Sequence, residues 1–213
     1  PYSQAGTAIK VGRAQNEMLW IDLPAGIDDE AWRDLALRSF GEHHRRKIRQ
    51  SERNGLEAFE ASTEAELREA YSVIEENARL QGYPVRAWKH MSEALIEQIN
   101  SRQAIMLVAR HQGRNVGAHY GALAGRRYAY VFGGITNEGR ALKAGYFLQW
   151  EAMKKAKRLG CSGYDLTSMT TPNVWDFKRG FRPKLIPFVE SRYFVFSELR
   201  YKAFSWVYPK LRK

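Results

Sequence analysis

The chain of 213 residues has a single cysteine, Cys161. One thiol cannot close an internal disulfide, so the fold is held without covalent staples and suits a reducing compartment. Cys161 stands between Gly160 and Ser162 with no paired Cys/His spacing, and it reads as a buried structural thiol rather than a metal ligand or nucleophile. No apolar run approaches ~20 residues, so no transmembrane helix is expected. No secretory leader is legible, and the chain opens on Pro1 rather than methionine, as a trimmed piece would. Repeats and low-complexity linkers are missing as well, which leaves one large domain or a domain with an appendage. His43 and His44 adjoin each other without a third ligand at useful spacing, so no metal site is expected. Negative charge is scarce: 23 Asp and Glu face 34 Lys and Arg, for a net charge of +11. That imbalance argues for an anionic partner (nucleic acid, a nucleotide diphosphate or an acidic membrane surface) and not for a fold.

What is present reads as alternating elements. Residues 1–15 are small and polar enough to fray. Residues 17–23 (EMLWIDL) form a short strand closed by a turn at Pro24 to Gly26. Asp28 or Asp29 caps a helix with Glu30 in its first turn; Trp32, Leu35 and Phe40 share a face until Gly41 interrupts it. From His43 to Arg53 the face turns basic, with Arg45, Arg46, Lys47, Arg49 and Arg53 opposed only by Glu52. Such a run is either a solvated face or a phosphate-facing surface. Residues 56–61 alternate as a strand. Ser62 or Thr63 with Glu66 then opens an amphipathic helix that buries Leu67, Tyr71, Ile74 and Ala78 and ends at Gly82. A further helix covers 88–100, with Arg86 in the connector before it. Residues 103–110, 115–123 and 126–135 turn at Gly113 and Gly125 into an antiparallel meander.

The stretch 126–181 organises the rest. A strand leads into one helical segment with Leu142, Tyr146, Leu148, Met153 and Ala156, stopped by Gly160, and then into a second short strand. That order suggests a crossover in which the helix covers one sheet face. The polar stretch that follows ends in Asp176, Phe177 and Lys178, placing a cation on a loop past a strand end, where α/β proteins tend to keep chemistry. Lys178 is either that cation or a surface lysine. Tyr128 and Tyr130 alternate on one strand and point to one face, as core or as a wall. Asp165 can cap a strand end or serve as a base. Residues 185–196 read as a strand bent around Pro187. A helix follows from Glu198, with Leu199, Phe204, Trp206 and Tyr208 as packing residues before the basic end of Lys210, Arg212 and Lys213.

Helices, a meander, a crossover helix and a last strand follow the order of the GNAT acyltransferase fold, an α/β class with a largely antiparallel mixed sheet flanked by helices. The wording goes further: RRKIRQSERNG (45–55), YAYVFGG (128–134) and GYDLTS with WDFKRGF (163–168 and 175–181). Together they resemble the Fem family, GNAT-type aminoacyltransferases that build peptidoglycan cross-bridges from aminoacyl-tRNA. The resemblance covers roughly 38–193. Family members carry two GNAT-like domains; this chain has room for a lead-in of 1–27 and one such domain over 28–213. The family pattern has glycines where Thr167 and Ser168 stand, and a tyrosine where His90 stands.

The resemblance implies an enzyme that moves an aminoacyl group from tRNA to an amine of a cell-wall precursor, with no bound cofactor. It assigns Lys178, beside Phe177, to the developing oxyanion; Asp165, if it does more than cap a strand end, would orient the amine or act as a base. Tyr128, Tyr130 and Arg86 then line the acceptor site. Arg45, Arg46, Arg49 and Lys143 would contact phosphates of tRNA or of a nucleotide- or lipid-diphosphate-linked acceptor. Work on such substrates places the chain in the cytoplasm, with peripheral contact at the inner face of the membrane. Two other readings stay open: a CoA-dependent N-acyltransferase acting on a saccharide or small amine, and a non-catalytic basic RNA-binding domain. CoA-using relatives hold pyrophosphate on a loop resembling (Arg/Gln)-x-x-Gly-x-(Gly/Ala). Here the stretch is Arg140-Ala141-Leu142-Lys143-Ala144-Gly145, with Lys143 at the first glycine position, a pattern broken for CoA.

Overall fold

A computed structural model of the chain describes residues 7–10, 17–167, 172–187 and 192–211. Along the chain the elements are β1 (Thr7–Lys10), β2 (Glu17–Asp22), α1 (Asp29–Ser39), α2 (Glu42–Arg53), β3 (Glu57–Ala61), α3 (Glu64–Gln81) and a 3-10 turn at Trp88–His90. Then come α4 (Ser92–Asn100), β4 (Ala104–His111), β5 (Arg114–Ala124), β6 (Arg127–Ile135), α5 (Asn137–Ala141), α6 (Ala144–Arg158) and β7 (Gly163–Asp165). The last are α7 (Pro172–Arg179), β8 (Lys184–Pro187), β9 (Arg192–Val195) and α8 (Glu198–Leu211).

Seven strands form a mixed sheet in the order β3-β4-β5-β6-β7-β2-β8. β3 to β6 pair antiparallel in succession, β7 pairs antiparallel with β2, and β6 runs parallel to β7. The strand β4 shows why this sheet has two covered faces. Its run AIMLVA is buried throughout: Ala104, Met106 and Val108 join a core under α3 and α4, while Ile105, Leu107 and Ala109 join a second core under α1, α2 and α6. A continuous apolar run is what a strand covered on both faces requires. The helices start where short polar side chains satisfy their first N–H groups. Asp28 accepts from Glu30 and Ala31, and Thr63 with Glu66 forms a capping box.

Two irregularities position the site. In the β5/β6 pairing the register passes from Tyr120↔Phe132 to Gly121↔Tyr130, so Val131 is an extra residue on β6. The bulge leaves Tyr128 and Tyr130 on the face under α6, while Phe132 turns to the opposite core and stacks on Tyr120 at 4.7 Å. The Tyr128 ring lies across Gly121, where a β-carbon would overlap it. The second irregularity is the parallel β6/β7 pair, which ends at Ala129↔Asp165 while β6 continues to Ile135. The two strands part there, leaving a switch point at the carboxyl end of β7.

Several sequence expectations change. The helical segment before Gly160 is broken in two, because Lys143 takes a left-handed conformation (φ +66°) between α5 and α6. Residues 88–100 divide into a 3-10 turn and α4. Residues 185–196 hold two strands rather than one bent strand: β8 joins the large sheet and β9 pairs with β1. β1 occupies part of the stretch read as fraying. β2, read as part of a lead-in, lies inside the sheet between β7 and β8, because its apolar Leu19 is needed in the core there. The chain divides into one compact unit of residues 18–185 and a second that takes in β1, β9 and α8. In α8, Leu199, Phe204 and Trp206 are largely exposed instead of packed inward. The Tyr208 side chain, the basic C-terminal end and Ser168 lie outside what is described.

Candidate active site

The helix α7 is held by its aromatic neighbours. Pro172 stands at its first position, where a missing N–H is harmless. The buried His44 of α2 donates from Nε2 to the Phe177 carbonyl at 2.7 Å, and its ring lies over Gly180, where no side chain fits. The Gly41 N–H donates to the Gly180 carbonyl at 2.9 Å. Phe181 and Tyr146 meet the His44 ring edge-on at 4.7 and 5.0 Å, and Phe177 meets Tyr146 at 5.0 Å. Burial holds His44 below its ordinary pKa, against the bond to Phe177 and with a smaller push from His43. Two main-chain carbonyls thus tie α7 to the first turn of α2.

This docking turns Lys178 inward, leaving it 4 % exposed. Its Nζ lies 5.6 Å from the centre of the Tyr130 ring and donates to Thr167 Oγ1 at 3.3 Å. Asp165, buried at the end of β7, accepts from the Thr167 N–H at 2.7 Å, and its other oxygen stands 3.9 Å from Arg127 Nη1. Burial lowers the Lys178 pKa to about 8, with the Asp165 charge pulling the other way. Burial likewise raises Asp165, against the Thr167 N–H, Arg127 and Lys178. Thr167 itself has φ +53°. A β-branched residue in the left-handed region is strained, which gives a physical reason for glycine at that position in the family pattern.

Beneath the lysine is an aromatic floor that includes a residue missed in the sequence. His119 of β5, 1 % exposed, stacks on Tyr130 at 4.7 Å and approaches Tyr128 at 6.0 Å. Tyr128 in turn stacks on Tyr164 at 5.4 Å, and the Tyr164 hydroxyl donates to Gln149 Oε1 at 2.6 Å. Among the described residues neither His119 Nε2 nor the Tyr128 hydroxyl has a hydrogen-bond partner. Burial pushes His119 down to about 3 and Tyr130 up to about 12, so both rings are neutral near pH 7. No motif in the sequence marks His119; the space beside Gly121, two residues on, is filled by the Tyr128 ring.

Lys178, Phe177, Asp165, Tyr128 and Tyr130 are therefore assembled around the β6/β7 switch point. Lys178 and Phe177 sit on a helix rather than the expected loop, since WDFKRGF carries enough apolar contacts to fold α7 against α2 and α6. No described contact brings Arg86 to this group: it is exposed in the connector after α3, where its carbonyl accepts from Tyr71 on the other sheet face. Arg45, Arg46 and Arg49 line a separate groove of about 650 Å³ between α1 and α2. Lys143 opens α6 and donates to the Arg140 carbonyl at 3.3 Å. Among the described residues no three His, Cys, Asp or Glu side chains gather as a metal site requires, and no helix is long and apolar enough to cross a membrane.

Residues 38–179 match the model of the acetyltransferase (GNAT) domain. The chain belongs to the GNAT acetyltransferase family. Among solved structures this GNAT domain is similar to FemX, with a TM-score of 0.77 and 13% identity over 92% of this chain and 68% of that one. It is also similar to the C-terminal domain of a protein described as a lysylphosphatidylglycerol synthetase from Agrobacterium fabrum (TM-score 0.60, 14% identity, 92% of this chain and 63% of that one). A third is L-PGS from Bacillus licheniformis (TM-score 0.56, 11% identity, 97% and 67%). At these identities the likeness is one of fold, and the domain spans under two thirds of the second structure's length. No curated protein sequence matches significantly.

The family match makes acyl transfer the class of reaction and gives the stretch 140–145 a physical test. Lys143 holds the left-handed conformation that glycine adopts without strain, so its β-carbon is penalised. Lys143→Gly is expected to raise the unfolding free energy by about 0.5–1 kcal/mol, the left-handed penalty less glycine's greater freedom in the unfolded chain. Chemical denaturation checks it.

Proposed function

We propose that this GNAT domain moves an aminoacyl group from aminoacyl-tRNA to an amine of a nucleotide- or lipid-diphosphate-linked peptidoglycan precursor, forming an amide. The observation that carries the reading is the inward-facing Lys178 ammonium, set over Tyr130 at the point where β6 and β7 part. The similarity to FemX, to the structure described as a lysylphosphatidylglycerol synthetase and to L-PGS supports a donor of this kind. Both substrates would meet in the cytoplasm at the inner face of the membrane.

In this reaction the amine attacks the ester carbonyl and a C–N bond forms. The carbonyl oxygen takes the electron pair, and a positive charge held out of water stabilises it more than it stabilises the neutral ester. The C–O bond to the ribose then breaks. The leaving oxygen takes a proton from Lys178, whose pKa near 8 suits an acid at neutral pH. The nucleophile's surplus proton restores Lys178, with Asp165 close enough to orient the exchange. Tyr128 and Tyr130 supply the apolar floor.

Incubation with labelled aminoacyl-tRNAs and a panel of muropeptide precursors, followed by mass analysis, is expected to give an amide product that Lys178→Ala fails to form. A second reading, a CoA thioester donor, draws on the left-handed turn that opens α6. Release of free thiol from acyl-CoA, with no product from any charged tRNA, would put that donor in place of tRNA.

A further inference from the structure

The groove between α1 and α2 is lined by five arginines: Arg38, Arg45, Arg46, Arg49 and Arg53. Two carboxylates, Asp34 and Glu42, line it as well, and the Asp34–Arg38 pair is long at 4.0 Å and exposed on both sides. Such a pair holds little energy, so a strong anion can compete for the guanidinium. We propose that this groove docks the phosphodiester backbone of an RNA strand, an inference that rests on the aminoacyl-tRNA reading of the donor.

Three observations carry it. Arg45, Arg49 and Arg53 recur every fourth residue and form one stripe along α2, advancing by ~6 Å per step. That step is of the order of the spacing between successive phosphates on an extended strand, and arginine's planar fork suits phosphate oxygens. The groove is also concave and almost wholly polar, with Leu37 as its one apolar lining residue. A concave, arginine-lined channel follows a strand, whereas a flat bilayer favours a convex face with apolar anchors. Finally, the groove is joined to the reacting lysine. Arg45 follows His44, and His44 and Gly41 hold the Phe177 and Gly180 carbonyls on either side of Lys178. Arg45 also donates to the Arg38 carbonyl at 3.1 Å, fixing α1 against α2. A strand lying from Arg53 toward Arg45 would bring its esterified 3′ end to the end of the groove tied to α7.

The test is direct binding of an uncharged RNA hairpin with a single-stranded 3′ tail, read by fluorescence anisotropy over a salt series. Replacing both Arg49 and Arg53 by alanine is expected to weaken binding about tenfold, and to reduce the steepness of log Kd against log salt by one to two. Removing Arg79 and Lys89, two charges outside the groove, controls for net charge and leaves the steepness unchanged. Equal loss in both double variants would reduce the effect to overall charge and overturn the assignment. Binding of anionic vesicles, lost on removal of Arg49 and Arg53 while the RNA is ignored, would overturn it as well. The two proposals fail separately. Arginine-dependent RNA binding without aminoacyl transfer removes the donor reading and keeps the groove as an RNA site. Transfer and RNA affinity that are both indifferent to Arg49 and Arg53 remove the groove alone.

Discussion

A Lys178→Met variant is expected to lose at least a hundredfold in turnover and, at pH 7, to unfold at a higher denaturant concentration than the parent. Both effects come from one fact, a cation placed where water does not reach it. Removing a single donor to a developing oxyanion lowers kcat by about 10²–10³, and methionine keeps the stem's packing while supplying neither charge nor proton. The stability gain follows from the lysine's pKa, lowered from 10.5 to about 8 by burial. Below pH 8 the native chain holds the ammonium against its desolvation, whereas the unfolded chain holds it at no cost. Relief is on the order of 2 kcal/mol. From pH 8 to 10.5 the native lysine gives up its proton before the unfolded one does, so the parent gains stability as pH rises and the two proteins converge. Asp165 loses a nearby cation in the variant but keeps the Thr167 N–H and Arg127. A variant less stable than the parent at pH 7 would mean that Asp165 depends on Lys178 more than Lys178 is penalised by burial. Urea denaturation at pH 7 and pH 10 decides it.

The features that could be read in advance are those that local chemistry writes on the chain. Asp28, the Thr63–Glu66 box and Gly82 mark helix ends because a particular side chain or a left-handed turn is needed at each. The meander from β4 to β6 follows from successive apolar runs separated by the two glycine turns at Gly113 and Gly125. What escaped is set by contacts distant in sequence. The break at Lys143 is invisible to hydrophobic periodicity, because nothing in a lysine announces φ +66°. α7 is eight residues long and is stable only against His44 and Tyr146, over a hundred and about thirty positions away, so its sequence alone reads as loop. The Tyr128–Tyr130 pair was legible as one face of a strand, but the bulge at Val131 that ends the pattern was not. His119 escaped for a different reason. A lone histidine in a small-residue strand carries no motif, and its role appears only when Tyr130 and Tyr128 close over it.

That burial makes His119 the source of an acid sensitivity. Its pKa falls from 6.5 to about 3 because the ring is buried, sealed among Tyr128, Tyr130 and Tyr164; among the described residues its Nε2 has no hydrogen-bond partner. Between these values the unfolded chain binds a proton that the native chain refuses. Its contribution is complete above pH 6.5 and is lost as pH falls, at ~1.4 kcal/mol per unit, or about 3 kcal/mol by pH 4. His119→Phe keeps an aromatic ring on Tyr130 and removes the titration. Chemical denaturation between pH 4.5 and 7 is expected to show a shallower loss of stability in the variant, whatever its absolute stability after accommodating the larger ring. The slope does not vanish, because buried His44 titrates in the same sense. Glu66, held down to about 2 by the Ser62 and Thr63 N–H groups, adds its own loss only below pH 4.5. Asp165, raised by burial, acts in the opposite sense and opposes the loss near the acid end of the range. A parent and variant with the same slope down to pH 4.5 would mean that His119 takes up its proton in the folded chain, and that the floor beneath Lys178 opens to water.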